Sequence, residues 1–244
     1  MSNTPLEVYK KLLHKFGPQC WWPTTSSGEI VPKYRKRNTY GKLSDREKFE
    51  ICVGAILTQN TSWKNVEKAL ENLNKKKLIG ADKIASLDIR KLAKFIRPSG
   101  YYNQKAKRLK AFAKYISDNY KGKLSSLFSK SLRSARKELL ELHGIGPETA
   151  DSMLLYAGNR PSFVVDAYTV RLGERLGWFK NEDYQNIKEF FESRLPKSTV
   201  VYKEFHALIV ALGKDYCRKR PLCDLCLLIK GCKRGLRHTS SFAT

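Results

Sequence analysis

The sequence predicts an all-α protein, and three observations carry this prediction. Apolar residues recur at three- and four-residue spacing along almost the whole chain, as they do on one face of an amphipathic helix. Sustained two-residue alternation, which marks a half-buried strand, is absent. Ser44 and Glu47 form a capping box directly before an apolar stretch, and this pattern is typical of a helix start.

The predicted helices follow one another with breaks at glycine and proline. The first helix has an apolar stripe from Leu6 to Phe16 and stops at Gly17-Pro18. Residues 18–43 are expected to form an irregular loop. The apolar pattern then predicts helices around 49–57, 66–73 and 92–96, and further helices at about 103–119, 132–142, 147–158, 168–176, 185–194 and 199–213.

The charge of the chain is far from balanced. Its 47 lysines and arginines exceed its 23 acidic residues, which gives a formal net charge of +24 and a pI near 9.8. This excess indicates a polyanionic partner, although some thermophiles carry equally basic surfaces. No run of about 18 apolar residues is present, so no membrane partner is expected. Residues 1–16 lack a signal-peptide core, so we expect a cytoplasmic protein with reduced thiols.

Residues 142–150, L-H-G-I-G-P-E-T-A, indicate a tight glycine turn between two helices. Gly144 and Gly146 can take backbone angles that other residues resist, and they let a phosphate approach their N–H groups. Pro147 suits the first turn of the second helix, where its missing donor is not needed. The free amides at that helix start would grip a phosphate without reading sequence. An ordinary helical hairpin with a glycine turn is the alternative.

The residues after this turn carry a resemblance to a known family. Residues 163–171 read F-V-V-D-A-Y-T-V-R, and the order of glycine hairpin, helix, short loop and V-V-D-A-Y resembles the helix-hairpin-helix DNA glycosylases, whose best-known member is endonuclease III. The resemblance runs from about residue 45 to the C-terminus. It implies a two-lobed all-α fold, a catalytic role for Asp166, and a monomer that binds double-stranded DNA containing a damaged base at the nucleoid. Asp166 also suits a helix N-cap.

Glu148 departs from the pattern of the family members that also cut the DNA strand. Those members carry a lysine two residues after the final hairpin glycine, and its amine forms a Schiff base with the sugar. Glu148 cannot form one, so the sequence predicts a monofunctional enzyme that uses water. Glu148 also complements the helix dipole. The rival functions are an endonuclease III-type glycosylase and lyase acting on oxidised pyrimidines, and a non-catalytic binder of damaged DNA.

Two tryptophan-bearing segments narrow the resemblance. The segment Cys20-Trp21-Trp22-Pro23 and the segment L-T-Q-N-T-S-W at 57–63 resemble the endonuclease-III-related 3-methyladenine DNA glycosylases, as does P-S-G-Y-Y-N-Q-K-A at 98–106. This implies a flipped base between Trp21 and Trp63. Trp22 is either core or pocket. The resemblance also implies that Glu148 contacts the base. It implies that Gln59 inserts into the gap left in the duplex. The other implied DNA contacts are Gly144, Gly146 and Thr149.

The chemistry of the implied substrate agrees with such a pocket. A 3-methylated adenine is positively charged, so its glycosidic bond is already weakened and aromatic rings can select it through cation–π contacts. Asp166 would stabilise the developing positive charge on the sugar. None of the four histidines has a convincing general-acid position, and His206 lies on an apolar helix face typical of a core residue.

Four cysteines near the C-terminus have the spacing C-x5-C-x2-C-x5-C, namely Cys217, Cys223, Cys226 and Cys232. Endonuclease III-like proteins bind a [4Fe–4S] cluster with such a set, although their first gap is usually six residues. Zinc is the alternative, but it favours two C-x2-C knuckles and this chain has one. A basic loop between the first two cysteines suits phosphate contacts or a solvated surface, and its residues are Arg218, Lys219 and Arg220. Cys20 and Cys52 are predicted to be buried thiols.

The expected domain organisation has three parts. Residues 1–44 form an N-terminal helix and loop that pack with the C-terminal lobe. Residues 45–160 form a helical barrel that ends in the glycine hairpin. Residues 161–244 form the C-terminal lobe with Asp166 and the cysteine loop.

Overall fold

A computed structural model describes residues 3–34 and 43–240, with side chains as far as residue 236. It confirms the all-α prediction. The one extended pairing within the described residues is an isolated bridge between Thr24 and Lys33. The α-helices are α1 Pro5–Phe16, α2 Asp45–Thr58, α3 Trp63–Lys75, α4 Ala81–Ser86, α5 Ile89–Phe95, α6 Tyr102–Tyr120, α7 Leu124–Phe128, α8 Leu132–Leu140, α9 Pro147–Ser152, α10 Ala167–Leu176, α11 Tyr184–Glu192, α12 Thr199–Asp215 and α13 Lys233–Ser240.

The chain divides into two compact units, one of Met1–Gln19 with Phe163–Thr244 and one of Cys20–Ser162. The three-part division expected from the sequence remains a prediction, and residues 35–42 of its first part lie outside the described residues. Hydrogen bonds explain why the boundary between the two units lies after Gln19. Thr25 donates from its backbone N to Glu50 at 3.1 Å, and Asn74 donates to the Thr25 hydroxyl at 2.9 Å, so these bonds attach the segment after Cys20 to α2 and α3.

Helix α2 is the centre of the Cys20–Ser162 unit. Ser44 caps its first turn, because the Ser44 hydroxyl accepts from the Glu47 backbone N and the Glu47 carboxylate accepts from the Ser44 N. Every residue from Phe49 to Leu57 is buried, which is typical of a helix enclosed on all sides. Helices α3, α6, α7 and α9 pack around it, together with a π-helical turn at Met153–Ala157 that continues α9.

Helices α1, α10 and α12 form the core of the other unit. Helix α1 packs along α12, where the Tyr9 and Phe205 rings meet at 5.6 Å. Phe163 stacks on Phe191 at 4.5 Å and lies edge-on to Phe205. Trp178 donates from Nε1 to the Asn3 carbonyl at 2.6 Å, which ties the start of the chain to this core. Helix α10 packs against both α12 and α13.

Three short helices were not predicted. Helices α4 and α7 have six and five residues, too few for an apolar period to be visible. Helix α13 follows the last cysteine, in a strongly basic segment. Within the described residues, no helix combines the length and the apolar character needed to cross a bilayer.

Candidate functional site

Asp166 is the N-cap of α10. Its Oδ1 accepts from the Thr169 backbone N at 2.7 Å and from the Thr169 hydroxyl at 2.9 Å. Its Oδ2 lies 3.6 Å from Nε2 of His206 on α12. The prediction that Asp166 suits an N-cap is therefore confirmed, and the second carboxylate oxygen remains directed toward a histidine.

The surroundings of Asp166 keep the carboxylate ionised. Its side chain is 14% exposed, and burial by itself raises the pKa. The nearby His206 ring and the two hydrogen bonds from Thr169 outweigh burial and lower the pKa of Asp166 below its usual value. His206 is a largely buried residue, as the sequence predicted. Its contact with Asp166 was not predicted, because the two residues lie on different helices.

Three tryptophans come together in the Cys20–Ser162 unit. The Trp21 and Trp63 rings meet edge to face, with centroids 4.7 Å apart and planes at 72°. Trp22 lies edge-on to Trp63 at 5.5 Å and also contacts Tyr156 at 5.3 Å. Because Trp21 and Trp63 touch each other, a base between them requires the two rings to separate. Tyr34 also contacts Trp21, with ring centroids 5.9 Å apart.

Trp22 is a core residue of this cluster. It is 8% exposed, and a Cβ at Gly54 would lie 3.0 Å from its Cζ2, so the ring packs directly on the α2 backbone. The buried Nε1 donors of Trp22 and Trp63 have no hydrogen-bond acceptor among the described residues. Buried donors are nearly always satisfied, so this pair is unusual in an otherwise apolar cluster.

The predicted glycine hairpin is present between α8 and α9. Gly144 has φ +82°, in the left-handed region that favours glycine. Gly146 has φ −89° and ψ 178°, an extended conformation that any residue adopts, so the expectation of unusual backbone angles is correct only for Gly144. Pro147 occupies the first turn of α9 as predicted, and Glu148 is exposed in the same turn.

An ion pair braces the two hairpin helices. Arg136 on α8 donates from Nε and Nη2 to the two carboxylate oxygens of Asp151 on α9, at 2.9 and 3.1 Å. The Ser162 hydroxyl donates to Asp151 Oδ1 at 2.6 Å. Asp151 is fully buried, so its two-pronged pairing with arginine is required to satisfy the carboxylate. The pairing therefore links α8 to α9.

Gln59 contacts this hairpin directly. Its Nε2 donates to the Gly144 carbonyl and to the Thr149 hydroxyl, both at 3.0 Å. Its Oε1 accepts from Nη1 of Arg108 on α6 at 2.5 Å. Gln59, Gly144 and Thr149, which the sequence analysis assigned to DNA contact, thus form one hydrogen-bonded group. Thr149 is almost buried, so its hydroxyl serves this group.

The four C-terminal cysteines line one small cavity, together with apolar side chains that include Leu222 and Ile229. Burial is the main cause of the raised pKa of Cys223 and Cys226, and the neighbouring cysteines raise it further. Four cysteines that line one cavity have the chemistry of a thiolate-ligated metal centre. In the part of the chain that the structure describes, no three potential ligands are spaced to share one metal ion, so the fit rests on the type of donor and the shared cavity and not on the spacing of the side chains.

Arg175 connects this cavity to the basic loop. Its Nη1 donates to Cys217 Sγ at 3.1 Å and to the Arg218 carbonyl at 2.7 Å, and its Nη2 donates to the Lys219 carbonyl at 3.0 Å. The residues 218–220 themselves are exposed. Arg175 therefore sets the backbone of a loop whose basic side chains face solvent.

Comparison with known proteins assigns this chain to a family. Residues 53–197 match the model of the HhH-GPD superfamily base excision DNA repair proteins. A protein of Methanocaldococcus jannaschii, provisionally named a DNA repair glycosylase, is 46% identical over 229 residues, which are 93% of this chain and 94% of that protein. The chain belongs to the HhH-GPD superfamily. The resemblance to the helix-hairpin-helix glycosylases is therefore confirmed, and the protein is a DNA glycosylase of base excision repair.

Two solved structures add detail to this HhH-GPD assignment. The 3-methyladenine DNA glycosylase of H. pylori, bound to 1,N6-ethenoadenine, is 31% identical, with a TM-score of 0.69 over 87% of this chain and 98% of that chain. A trapped endonuclease III–DNA covalent intermediate has a TM-score of 0.74 over 97% of this chain and 99% of that chain. At 18% identity, the second likeness concerns the fold alone.

Proposed function

We propose that this HhH-GPD protein is a monofunctional DNA glycosylase that hydrolyses the N-glycosidic bond of flipped alkylated purines such as 3-methyladenine. The observation that carries the proposal is the contact between Trp21 and Trp63 at 4.7 Å, in the same unit as the hairpin. Electron-rich rings select a cationic base, and each desolvated cation–π contact contributes about 2 kcal/mol. The 31% identity to the H. pylori 3-methyladenine glycosylase supports the same substrate class.

The remaining pocket residues fit this substrate in two ways. The Nε1 donors of Trp22 and Trp63 have no acceptor among the described residues, and a purine offers ring-nitrogen acceptors. Glu148 supplies a carboxylate in the first turn of α9, where a strand-cutting enzyme of this family carries its lysine. A carboxylate attracts a cationic base and forms no Schiff base.

The proposed reaction needs little from the protein beyond charge and position. The C1′–N bond breaks, and its electron pair leaves with the methylated base, which departs as a neutral molecule. The sugar becomes an oxocarbenium ion, and the ionised Asp166 stabilises that positive charge. Water adds to C1′ and its extra proton passes to solvent, so that the product is a neutral abasic sugar. The low pKa of Asp166 keeps the carboxylate charged through this sequence.

We further propose that the four-cysteine cavity holds a [4Fe–4S] cluster, ligated by Cys217, Cys223, Cys226 and Cys232. When bound, the cluster would supply a structural centre for the C-terminal loop. Arg175 supports this role, because its N–H···S bond to Cys217 and its bonds to the carbonyls of residues 218 and 219 join the cavity to the basic loop.

A panel of duplex oligonucleotides tests the proposed function. Each duplex carries one lesion, either a methylated purine, a deaminated purine or an oxidised pyrimidine, and is scored with and without alkali. We expect release of methylated purines, with strand cleavage only after alkali, and no complex trapped by borohydride. The Asp166→Asn protein serves as the matched control. Activity confined to oxidised pyrimidines, or robust borohydride trapping, would favour the endonuclease III-type reaction. Binding without release of any base would favour a non-catalytic binder.

A further inference from the structure

The side-chain amide of Gln59 is held on both sides. Its two N–H donors bond to the Gly144 carbonyl and the Thr149 hydroxyl, and its oxygen accepts from Arg108. A guanidinium can only donate and a carbonyl can only accept. Arg108 and Gly144 therefore fix which way round the amide lies. The hydrogen-bonded Gln59 side chain thus differs from one that is free to enter a duplex.

Arg108 also contacts the hairpin itself. Its Cγ, Cδ and Nε occupy the space that a Cβ at position 144 would need, so the stem of Arg108 lies across the face of Gly144. The glycine is thus required for two reasons, its positive φ and the close approach of Arg108. Arg108 touches the turn directly and reaches it a second time through Gln59.

The end of α2, from which Gln59 projects, is anchored by the same helix that carries Arg108. Lys105 on α6 is buried, and its Nζ donates to the carbonyls of Leu57 and Ser99 at 2.8 and 2.7 Å. Burial is the main reason that the pKa of Lys105 is lowered to about 8, and the charge of Arg108 acts in the same direction. Helix α6 therefore fixes both the backbone before Gln59 and the amide of Gln59.

These bonds leave the hairpin turn little freedom. The Gly144 carbonyl accepts from Gln59, while the N–H of the same peptide unit, that of Ile145, donates to the Leu142 carbonyl at 3.0 Å. Both polar atoms of this peptide are engaged, so rotating its plane would break two hydrogen bonds. A turn fixed in one geometry before binding loses less conformational entropy when a phosphate backbone docks on it.

We propose that Arg108 is a positioning residue for DNA binding, which orients Gln59 so that its amide holds the Gly144–Ile145 peptide in the geometry that receives the phosphate backbone. The inference rests on the proposed function only in that duplex DNA is the ligand of the hairpin. In this role Gln59 braces the hairpin, and it acts before any base is flipped. Arg108 itself makes no contact with the phosphate.

The test uses the full-length protein with Arg108→Met, Gln59→Ala and the double variant. Affinity for an undamaged duplex is measured by fluorescence anisotropy over a series of salt concentrations. Each single variant should weaken binding by about three- to tenfold, as expected for losing a hydrogen bond worth roughly 1 kcal/mol. The double variant should bind no more weakly than either single one, because both changes remove the same brace. The slope of log K against log salt should stay at the wild-type value.

The matched control is Lys107→Met, which removes the same charge from the neighbouring exposed position. Arg108→Met must lose more affinity than this control. A slope that falls by about one in Arg108→Met would mean that Arg108 binds a phosphate directly, and would overturn the proposal. Additive losses in the double variant would overturn it as well. So would a Gln59→Ala protein that binds undamaged duplex normally, since Gln59 would then act at a later step.

Two further measurements distinguish a failure of the positioning role from a loss of protein stability and from a failure of the proposed function. If Arg108→Met lowers the melting temperature markedly, Gln59→Ala and Thr149→Val carry the test, because neither changes the charge and Thr149→Val removes only one acceptor of the same amide. Their double variant should again show no added loss, and additivity would contradict the brace. Base release by the wild-type protein is scored separately. A wild type that binds duplex but releases no methylated base refutes the proposed function and leaves the positioning role intact.

Discussion

His206 Nε2 lies 3.6 Å from Asp166 Oδ2, while the other oxygen of the same carboxylate caps helix α10 through Thr169. The two oxygens of Asp166 therefore have separate surroundings. Oδ1 caps the helix, and Oδ2 faces the imidazole of His206. Substitutions that distinguish these two surroundings test whether the carboxylate acts in the reaction.

Asp166→Asn should abolish base release while leaving the fold intact. Asparagine caps helices as well as aspartate does, so the midpoint of urea unfolding should stay close to that of the wild type. The loss of the negative charge should slow single-turnover base release by orders of magnitude, because that charge stabilises the developing oxocarbenium ion. Asp166→Ala should lose the cap too and destabilise the protein by about 1 kcal/mol. Wild-type turnover in Asp166→Asn would remove Asp166 from the mechanism.

His206→Phe should shift the acid limb of the pH–rate profile to higher pH. The pKa of Asp166 is lowered in the folded protein. The ionised carboxylate therefore stabilises the folded protein above the ordinary aspartate pKa. This contribution to stability is lost as the pH falls through the lowered pKa. Without His206, burial is opposed by Thr169 alone and the pKa rises. His206→Gln keeps a neutral donor and should show a smaller shift. An acid limb identical to the wild type in His206→Phe would show that the histidine does not influence the carboxylate.

Much of the fold could be predicted from the sequence because its determinants are local. The capping box at Ser44 and the apolar stripe that begins at Leu6 define α2 and α1 without reference to the rest of the chain. Helix α4 and the Thr24–Lys33 bridge were missed because each is too short to show a repeating pattern of apolar residues.

The sequence motifs gave candidate residues and not the arrangement of their side chains. They singled out Asp166, Gln59 and the tryptophans, whose roles remain predictions. The motifs gave no sign of the contact between His206 and Asp166 or of the bond between Arg108 and Gln59, since both depend on how separate helices pack. For the same reason, the edge-to-face contact of Trp21 with Trp63 could not be foreseen from the spacing of the two residues.

Replacing Trp63 should discriminate among substrates. Trp63→Ala removes a stacking face and a cation–π contact, together worth about 1–3 kcal/mol, so release of 3-methyladenine should fall roughly ten- to hundredfold. Trp63→Phe keeps an aromatic face and should retain much of the activity. The measurement is single-turnover release of 3-methyladenine and of an uncharged lesion. An equal loss on both substrates would argue against selection by charge.

Under the proposed [4Fe–4S] assignment, the purified protein should contain iron and be brown, and Cys226→Ser should lose both the iron and the colour. A ligand of a structural cluster holds the surrounding loop, so the C-terminal segment should also become more sensitive to limited proteolysis. Cys20 is not among the residues that line the cavity, so the control variant Cys20→Ser should keep the iron content of the wild type. Metal analysis that finds one zinc and no iron in the wild type would refute the cluster.

The closed contact between Trp21 and Trp63 has a consequence for how normal bases are refused. Separating these two edge-to-face rings removes a favourable contact before any base is held, and this loss is the same for every base that arrives. A neutral base regains mainly stacking, whereas a cationic base regains stacking and charge attraction together. In the proposed pocket, this difference favours a cationic base over a neutral purine. Under the proposed function, undamaged bases are left in the duplex without any hydrogen-bonding group dedicated to rejecting them.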